Sequence, residues 1–361
     1  MASIETITLR LNENASPDEF VAANARVESE FLRKQTGYNP GTRVISVSGD
    51  GLWTISLRWD NARNAADSMA EFGVSDATRD FVKLVDQSTM NVELRDEVAS
   101  DNFPGLDNAR RLYLEGIRDG KVRDAVETYT GDRYTQHSTG VRDGVEGFVE
   151  FFEPFIEKNR VRDIEIVRSY VDGRFVFLQA AQSLNNGRDR WVTTDLFDTD
   201  RNGKIIEHWD VIHALGGENP SGHTQVDGAV GITDRDRTEA NKEIVRRLLT
   251  EAFCESPTAD FSEFISSDTY INHNPDAPDG LDSLVEMDRG ARERGEALFY
   301  RKVHRIIGQG NFVVSLGHQV WNNIDYAAFD IFRLEDGLIV EHWDNVETLP
   351  HGDDLVNSGK F

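Results

Sequence analysis

The tetrapeptide Glu-His-Trp-Asp occurs twice in this chain, at residues 207–210 and 341–344, and it contains side chains that can move protons. A carboxyl group ordinarily ionises below neutral pH and an imidazole near it; burial raises the first pKa and lowers the second. A buried pair of this kind can exchange protons near neutral pH, as enolisation next to a carbonyl group requires. The tetrapeptide therefore predicts an acid–base site that the chain carries twice.

The residues around each tetrapeptide alternate as in a β-strand, and this alternation decides which side chains share a face. In the second copy, Val340, His342, Asp344 and Val346 lie on one face and Trp343 points the other way. In the first copy the equivalent face carries Ile206, His208, Asp210 and Ile212. The aliphatic neighbours predict that each His-Asp pair faces an apolar pocket. A purely structural role, in a strand-end cap or an arginine pair, is the alternative for both aspartates.

The region around the tetrapeptides is an internal repeat. Residues 134–137 (YTQH) match residues 270–273 (YINH), 136 positions later, and an Asp-Gly pair follows each at residues 143–144 and 279–280. Each copy begins with helical patterns and continues with three or four strands, which predicts an α+β domain. A curved sheet wrapped on a helix leaves one open mouth, where we expect a small-molecule pocket. Trp209 and Trp343 point away from the His-Asp face of each copy.

The first hundred residues have a different pattern, with the predicted order β-α-β-β-α-β of a ferredoxin-like domain. Ser16 and Pro17 predict a helix start, and Gly49-Asp50-Gly51 predicts a hairpin between two strands. Residues 1–98 resemble the dimeric α+β-barrel domains that include the antibiotic-biosynthesis monooxygenases. The resemblance implies a homodimer formed through this domain. The segment SDNFPGLDN at residues 100–108 is expected to be a linker.

The repeated region resembles the SnoaL-like polyketide cyclases, whose fold is a cone of the nuclear-transport-factor-two-like type. The motifs that carry the resemblance are Tyr-x-Asn/Gln-His, the Asp-Gly after it, Asp-x-Phe on the penultimate strand and the terminal Glu-His-Trp-Asp. It covers residues 107–215 and 239–349, separated by a linker at 216–238 and followed by a tail at 350–361. The predicted fold class is therefore α+β: a ferredoxin-like domain followed by two cones that form an internal pseudo-dimer.

The resemblance also implies roles for individual residues. In the cyclases, the aspartate that ends the last-strand motif is the acid–base group, and its matches here are Asp210 and Asp344. The pocket histidine two positions earlier matches His208 and His342, and an asparagine after the first helices matches Asn272 and, in copy one, Gln136. A histidine of the penultimate strand is replaced by Asp195 and Asp330, so the titratable groups of this pocket differ from those of the family.

Three further histidines are candidate pocket residues. His137 and His273 end the Tyr-x-Asn/Gln-His motif, where an anchored loop is the structural alternative. His318 has Ala181 opposite it in copy one. Because His318 adds an imidazole to copy two alone, the sequence favours copy two as the catalytic one.

The leading functional hypothesis is cofactor-independent acid–base chemistry on a small carbonyl or polyketide-like compound, an aldol-type cyclisation or an isomerisation. The protein would then be an enzyme of the lyase or isomerase class. A non-catalytic ligand-binding or scaffold protein is the second hypothesis, because a shared fold does not fix function. Cofactor-free oxygen chemistry in the N-terminal domain is the third.

Composition limits the classes of partner that this protein can have. The formal net charge of the 361 residues is −25, which argues against nucleic acid or an anionic membrane surface as a partner. Cys254 is the single cysteine, so no disulfide forms within the chain, and a cytoplasmic protein is expected. No cofactor-binding motif or dedicated metal-ligand pattern is evident. We therefore expect no cofactor, no metal and a small-molecule ligand.

Overall fold

The computed structural model describes residues 3–39, 43–59, 61–96, 104–350, 352 and 355–361. The chain divides into two compact units, Met1–Asn102 with Gly228–Ile232, and Phe103–Asp227 with Thr233–Phe361. Among the described residues, no helix is long and apolar enough to cross a membrane.

The N-terminal unit is a four-stranded antiparallel sheet with helices on one face. Its elements are β1 (Ser3–Leu11), α1 (Pro17–Glu30), β2 (Val44–Val47), β3 (Trp53–Trp59), α2 (Ala62–Phe72), α3 (Arg79–Leu84) and β4 (Val85–Asp96). The strand order is β2-β3-β1-β4. Ser16 and Glu19 form a capping box at the start of α1, as the sequence pattern indicates. Trp53 and Trp59 are buried in the core.

The predicted linker is shorter than expected. Its residues 100–103 lie outside the described residues, but its last part is helical, because α4 begins at Pro104. Proline fits the first turn of a helix, where its missing N–H group would have no partner. Leu106 and Ala109 then bury the apolar face of α4.

The larger unit begins with residues 104–214, which we call the first subdomain. Its helical elements are α4 (Pro104–Arg111), a π-helical turn (Leu112–Arg118), α5 (Val122–Tyr129) and α6 (Gly144–Lys158). Its strands are β5 (Thr130–Gln136), β6 (Arg162–Asp172), β7 (Phe175–Leu184), β8 (Asp189–Thr199) and β9 (Ile205–Ala214). They form a sheet in the order β5-β9-β8-β7-β6, in which β5 runs parallel to β9 and the other neighbours are antiparallel.

Residues 238–348, the second subdomain, have the same strand order. Their helical elements are α7 (Thr238–Arg247), a π-helical turn (Leu248–Ala252) and α8 (Leu281–Glu293). The strands are β10 (Ile271–Asn272), β11 (Phe299–Gln309), β12 (Phe312–Trp321), β13 (Ile324–Glu335) and β14 (Leu338–Thr348). Their order is β10-β14-β13-β12-β11, again with one parallel pair, β10 and β14. The predicted α+β class is confirmed.

The outer faces of these two sheets pack against each other, and the tryptophans of both tetrapeptides lie in the contact. The guanidinium of Arg305 lies 4.5 Å from the ring centre of Trp209, and that of Arg168 lies 4.1 Å from the ring centre of Trp343. Each pair joins one subdomain to the other and adds a cation–π attraction to apolar burial. The amide of Asn345 donates to the carbonyl oxygens of Val192 and Val211 in the first sheet.

His137 and His273 belong to this outer layer and not to the inner face where the sequence placed them. His137 stacks on Trp209 and pairs with Glu207 at 3.0 Å, and His273 stacks on Trp343 and pairs with Glu341 at 2.9 Å. The physical reason is strand alternation. Glu and Trp of each tetrapeptide point outward, and His137 and His273 pack against them.

We predict that Glu341→Gln destabilises the protein by about 3 kcal/mol, because it leaves the partly buried Arg333 and the buried His273 without their shared anion. Glu341 is 3% exposed, whereas the equivalent Glu207 is 20% exposed and pairs with His137 and Arg133. The matched control Glu207→Gln should cost about 1 kcal/mol. Urea unfolding at pH 7 measures both, and equal losses would contradict the assignment.

The Glu341 carboxylate should stop stabilising the protein at low pH. Burial raises the pKa of Glu341, but His273 and Arg333 outweigh it and lower the pKa from 4.5 to about 2. When folding lowers a carboxyl pKa, the ionised group stabilises the fold at pH values above the unfolded-state pKa. This stabilisation is lost as the pH falls through the folded-state pKa. The difference in stability between wild type and Glu341→Gln should therefore shrink between pH 4.5 and 2.

Candidate functional site

A cavity of about 750 Å³ lies inside the first subdomain. Helix α6 supplies one wall, with phenylalanines at positions 148, 151, 152 and 155, the spacing that places them on one helix face. The rings of Phe148 and Phe152 are 4.3 Å apart. The sheet supplies the opposite wall, which includes Thr193, His208, Asp210 and Ile212. Lys158 and Arg188 add positive charge to the lining.

His208 is held in this cavity from both sides of its ring. Its Nδ1 lies 2.9 Å from Oε1 of Gln136, and its Nε2 lies 2.9 Å from Oδ1 of Asp195. The Tyr113 hydroxyl donates to the same Asp195 oxygen at 2.8 Å. The structure thus brings together His208, Gln136 and Asp195 of the predicted set. It adds Tyr113, which the sequence did not single out.

Asp195 is the buried carboxyl group that contacts His208. Asp195 is fully buried, and burial raises its pKa, although His208 and Tyr113 oppose the rise. Asp195 Oδ2 has no hydrogen-bond partner within the described part of the chain. An isolated buried carboxylate is costly, so burial favours the protonated form of Asp195. Asp195 contacts His208, which lines the cavity.

Asp210 lies beside Asp195 on the same face, because the two are cross-strand partners on β9 and β8. Its Oδ1 accepts a hydrogen bond from the Nζ of Lys360 at 3.0 Å. Burial raises the pKa of Asp210, but the charges of Lys360 and His208 and the Ser138 hydroxyl outweigh it, so the net pKa is below the ordinary value. Asp210 is therefore an ionised carboxylate in a cavity with a wall of aromatic rings.

The second subdomain repeats part of this arrangement. His342 Nε2 lies 3.1 Å from Asp330 Oδ1, and Asp330 and Asp344 are cross-strand partners. Here the amide of Asn274, and not a cation, donates to Asp344 at 2.6 Å. Burial and the nearby Asp330 raise the pKa of Asp344, although His342 and Asn274 oppose them. The two equivalent aspartates thus have opposite pKa shifts.

Gln136 and Asn272, which the sequence predicted to be equivalent, make different contacts. Asn272 does not take the place of Gln136, because its Oδ1 accepts from the backbone N–H of Asn274 in a local turn. A tyrosine from a different element binds the buried aspartate: the Tyr300 hydroxyl, on β11, donates to Asp330. A Cβ atom on Gly317 would lie 2.5 Å from the Tyr300 ring, so glycine is required for the ring to enter this space.

His318 is not part of the inner site. On β12 the inner face carries Ser315 and Gln319, which bind Asp330 and Tyr300, so alternation turns His318 outward. There it pairs with Asp325 at 2.6 Å and stacks on Phe361. The reason given by the sequence for preferring copy two is therefore wrong.

Tyr113 and Lys360, which were not predicted, have only weak signals in the sequence. Tyr113 follows Leu106 and Ala109 on one helix face, and a buried tyrosine there needs a partner for its hydroxyl. Lys360 lies in the tail, 150 positions from Asp210, and no local pattern connects the two.

Within the part of the chain that the structure describes, two groups of side chains have the composition of a cation site: Asp195 with His208 and Asp210, and His223 with Asp227 and His273. In the first group, the Lys360 ammonium already neutralises Asp210, and His208 Nε2 is engaged with Asp195. In the second, His273 donates to Asp227 and Glu341 through its two ring nitrogens, and these bonds outweigh burial and raise its pKa. A protonated histidine is not a metal ligand.

The match to a protein-family model covers residues 109–208 and identifies a SnoaL-like domain. No curated protein matches the chain. Similar solved structures include one assigned as a polyketide cyclase from Bacillus cereus ATCC 10987, with 18% identity, 30% of this chain and 74% of that chain covered, and a TM-score of 0.28. One assigned as a SnoaL-like polyketide cyclase from Jannaschia sp. CCS1 has 18% identity, coverages of 33% and 91%, and a TM-score of 0.28.

A third similar structure is SnoaB, a cofactor-independent oxygenase from Streptomyces nogalater, with 16% identity, coverages of 27% and 95%, and a TM-score of 0.23. The resemblance predicted from the sequence is confirmed for the segment that the family model matches. Residues 109–208, which include Tyr113, Gln136, Asp195 and His208, are a SnoaL-like domain.

Proposed function

We propose that the first subdomain is a cofactor-independent acid–base catalyst that acts on a small aromatic carbonyl compound. The observation that carries this proposal is the ionised Asp210 carboxylate, which faces an aromatic cavity beside the hydrogen-bonded Asp195–His208 pair. A ligand that fills such a cavity is largely desolvated, which strengthens the interaction of its polar groups with these side chains.

The reaction would begin with proton transfer from the carbon next to the carbonyl group to a carboxylate oxygen of Asp210. The electrons of the broken C–H bond move to the carbonyl oxygen and form an enolate. The amide of Gln136, which lines the same cavity, is a hydrogen-bond donor for that oxygen. Return of the proton at another carbon gives an isomer. Attack of the enolate on a second carbonyl gives an aldol-type ring closure, in which Asp210 returns its proton to the new alkoxide oxygen.

The first subdomain is a better candidate than the second. At the positions of Phe152 and Phe155, 136 residues later, α8 carries Asp288 and Ala291, and Asp288 pairs with Arg292. Tyr300 also occupies part of the inner face there. We propose that residues 239–349 are a second cone of the same fold whose main role is to support the first through the shared outer layer.

Two alternatives lead to different outcomes. A non-catalytic binding protein would use the same cavity without turnover. Oxygen chemistry in the N-terminal unit would need room for a substrate there, and a cavity in the described part of that unit has about 20 Å³, enough for about one water molecule. We favour the first alternative, because the first subdomain has a cavity of about 750 Å³.

We further propose that the N-terminal unit pairs with a second copy through β4. This strand is at the edge of its sheet, and Met90, Val92 and Leu94 are exposed on it. An exposed apolar edge strand readily adds a strand from another chain.

We predict that Asp210→Asn lowers turnover about a hundredfold or more, because it removes the proton acceptor while keeping the shape of the side chain. The probe is 2-tetralone, an aryl-fused ketone, and the measurement is exchange of its α-protons for deuterium in D₂O by NMR. The matched control Asp344→Asn should exchange at the wild-type rate.

Equal losses in the two variants would contradict the assignment to the first subdomain. No exchange by wild-type protein, with 2-tetralone bound, would favour the binding-protein alternative. Exchange that is insensitive to both substitutions would place the chemistry elsewhere.

We predict that Ile212→Trp weakens binding of the fluorescent dye 1-anilinonaphthalene-8-sulfonate about tenfold, because the indole narrows a cavity lined by aromatic rings and by Lys158 and Arg188. The control is Val346→Trp, the equivalent position of the second subdomain, which should bind the dye like wild type. A dye affinity that changes equally in both variants would contradict binding in the first subdomain.

We predict that Val92→Glu converts a dimer to a monomer, because it places a charge on the proposed contact strand. Analytical ultracentrifugation measures the change, and Val74→Glu, at another exposed valine, is the control. A wild-type monomer, or a Val92→Glu dimer, would rule out pairing through this strand.

A further inference from the structure

The segments that follow the two sheets make equivalent contacts, each on the opposite subdomain. The amide of Asn219, after β9, donates to the carbonyl oxygens of Asn274 and Ala277. The amide of Asn357, after β14, donates to those of Ser138 and Val141, 136 positions earlier than Asn274 and Ala277. Each sheet is therefore followed by a segment that crosses to the other subdomain and binds the turn after its parallel strand.

The equivalence continues to the next contacts. The His273 ring donates to the carbonyl oxygen of Thr224, and the His137 ring donates to that of Gly359. The residues that follow, Gln225 and Lys360, therefore occupy corresponding places. Both also bind the last strand of the sheet that precedes them. Gln225 Nε2 lies 3.2 Å from Nδ1 of His213, and Lys360 Nζ lies 2.8 Å from Oε2 of Glu347.

The two residues differ in charge. The ammonium of Lys360 makes three hydrogen bonds, to Glu347 Oε2 at 2.8 Å, to Asp210 Oδ1 at 3.0 Å and to the Asp210 carbonyl oxygen at 3.1 Å, which uses all its donors. Lys360 is 4% exposed. Gln225 is equally buried but neutral, and its Oε1 accepts from the backbone of Gly216.

The stacking of Phe361 holds the lysine in place. Its ring centre lies 3.9 Å from that of His304 and 5.7 Å from that of His318, and both pairs are nearly parallel. His318, which the sequence assigned to a pocket, therefore contacts the segment that carries Lys360.

The charges around Asp210 make Lys360 decisive. Asp195 lies across the strand on β8, Glu347 approaches from β14, and both are carboxylates. The groups that favour the ionised form of Asp210 are Lys360 from the tail, His208 from β9 and the Ser138 hydroxyl. Without Lys360, Asp210 would be buried beside two other carboxylates, and one of them would tend to take up a proton.

We propose that Lys360 is a positioning residue that keeps Asp210 ionised, and that this tail contact, which Gln225 cannot reproduce at Asp344, makes the first subdomain the one that accepts a proton from substrate. The consequence for turnover rests on the proposed function. The electrostatic contact itself does not, so it can be tested without a substrate.

The test is a pH titration of the aspartate side-chain carboxyl carbons by ¹³C NMR on the full chain, with the Asp210 signal assigned from Asp210→Asn. Lys360→Gln, which introduces the residue of the other subdomain, should raise the midpoint of Asp210 by about one unit or more. Lys360→Arg should leave the midpoint near the wild-type value, because it keeps the charge.

A matched control is Lys242→Gln, which removes a different lysine contact between the subdomains, with Asp172 at 2.7 Å. This variant should leave the Asp210 midpoint unchanged. An unchanged midpoint in a folded Lys360→Gln protein, or an equal rise in Lys242→Gln, overturns the proposal.

If Lys360→Gln does not fold, the wild type still decides the question. The ¹⁵Nζ signal of Lys360, assigned from Lys360→Arg, should shift with the same midpoint as Asp210, because the two groups are in direct contact. A Lys360 signal that does not change while Asp210 titrates overturns the proposal. Failure of the 2-tetralone exchange with a normal Lys360 effect would instead reject the proposed reaction alone.

Discussion

The alternation of side chains along a β-strand assigns two separate tasks to the four residues of each Glu-His-Trp-Asp tetrapeptide. Glutamate and tryptophan point outward, where Glu341 binds His273 and Arg333 and where Trp343 receives Arg168 of the other sheet. Histidine and aspartate point inward to the cavity side. One strand therefore joins the subdomains and carries the candidate chemistry, so a change at either face affects the position of the other.

The two subdomains share a strand order but present different inner faces. In the first, Tyr113 of the helical segment binds Asp195, and α6 contributes a wall of phenylalanines. In the second, Tyr300 of β11 binds Asp330 from within the sheet, in the space left by Gly317. The two equivalent aspartates thus receive a tyrosine hydroxyl from different elements, and in the first subdomain a large aromatic cavity lies beside the His-Asp pair.

Much of this organisation could be predicted from sequence because it depends on local patterns. The repeat offset, the strand alternation and the Ser16-Pro17 helix start all act within a few residues or between copies of one pattern. The predictions for His137, His273 and His318 failed because strand alternation was not applied to them. His318 was placed by comparison with Ala181, without counting its register on β12, which alternation turns outward. Lys360 could not have been found, because its contact with Asp210 joins a short tail to a strand 150 residues away.

The central claim is that Asp210 meets the ligand inside the first subdomain. A crystal structure with 2-naphthol, a stable aromatic analogue of the enol of 2-tetralone, tests it most directly. We expect the naphthol ring between the phenylalanines of α6 and Thr193, with its hydroxyl within hydrogen-bond distance of Asp210 or Gln136. Naphthol bound in the second subdomain, or bound in the first without contact to either side chain, would contradict it.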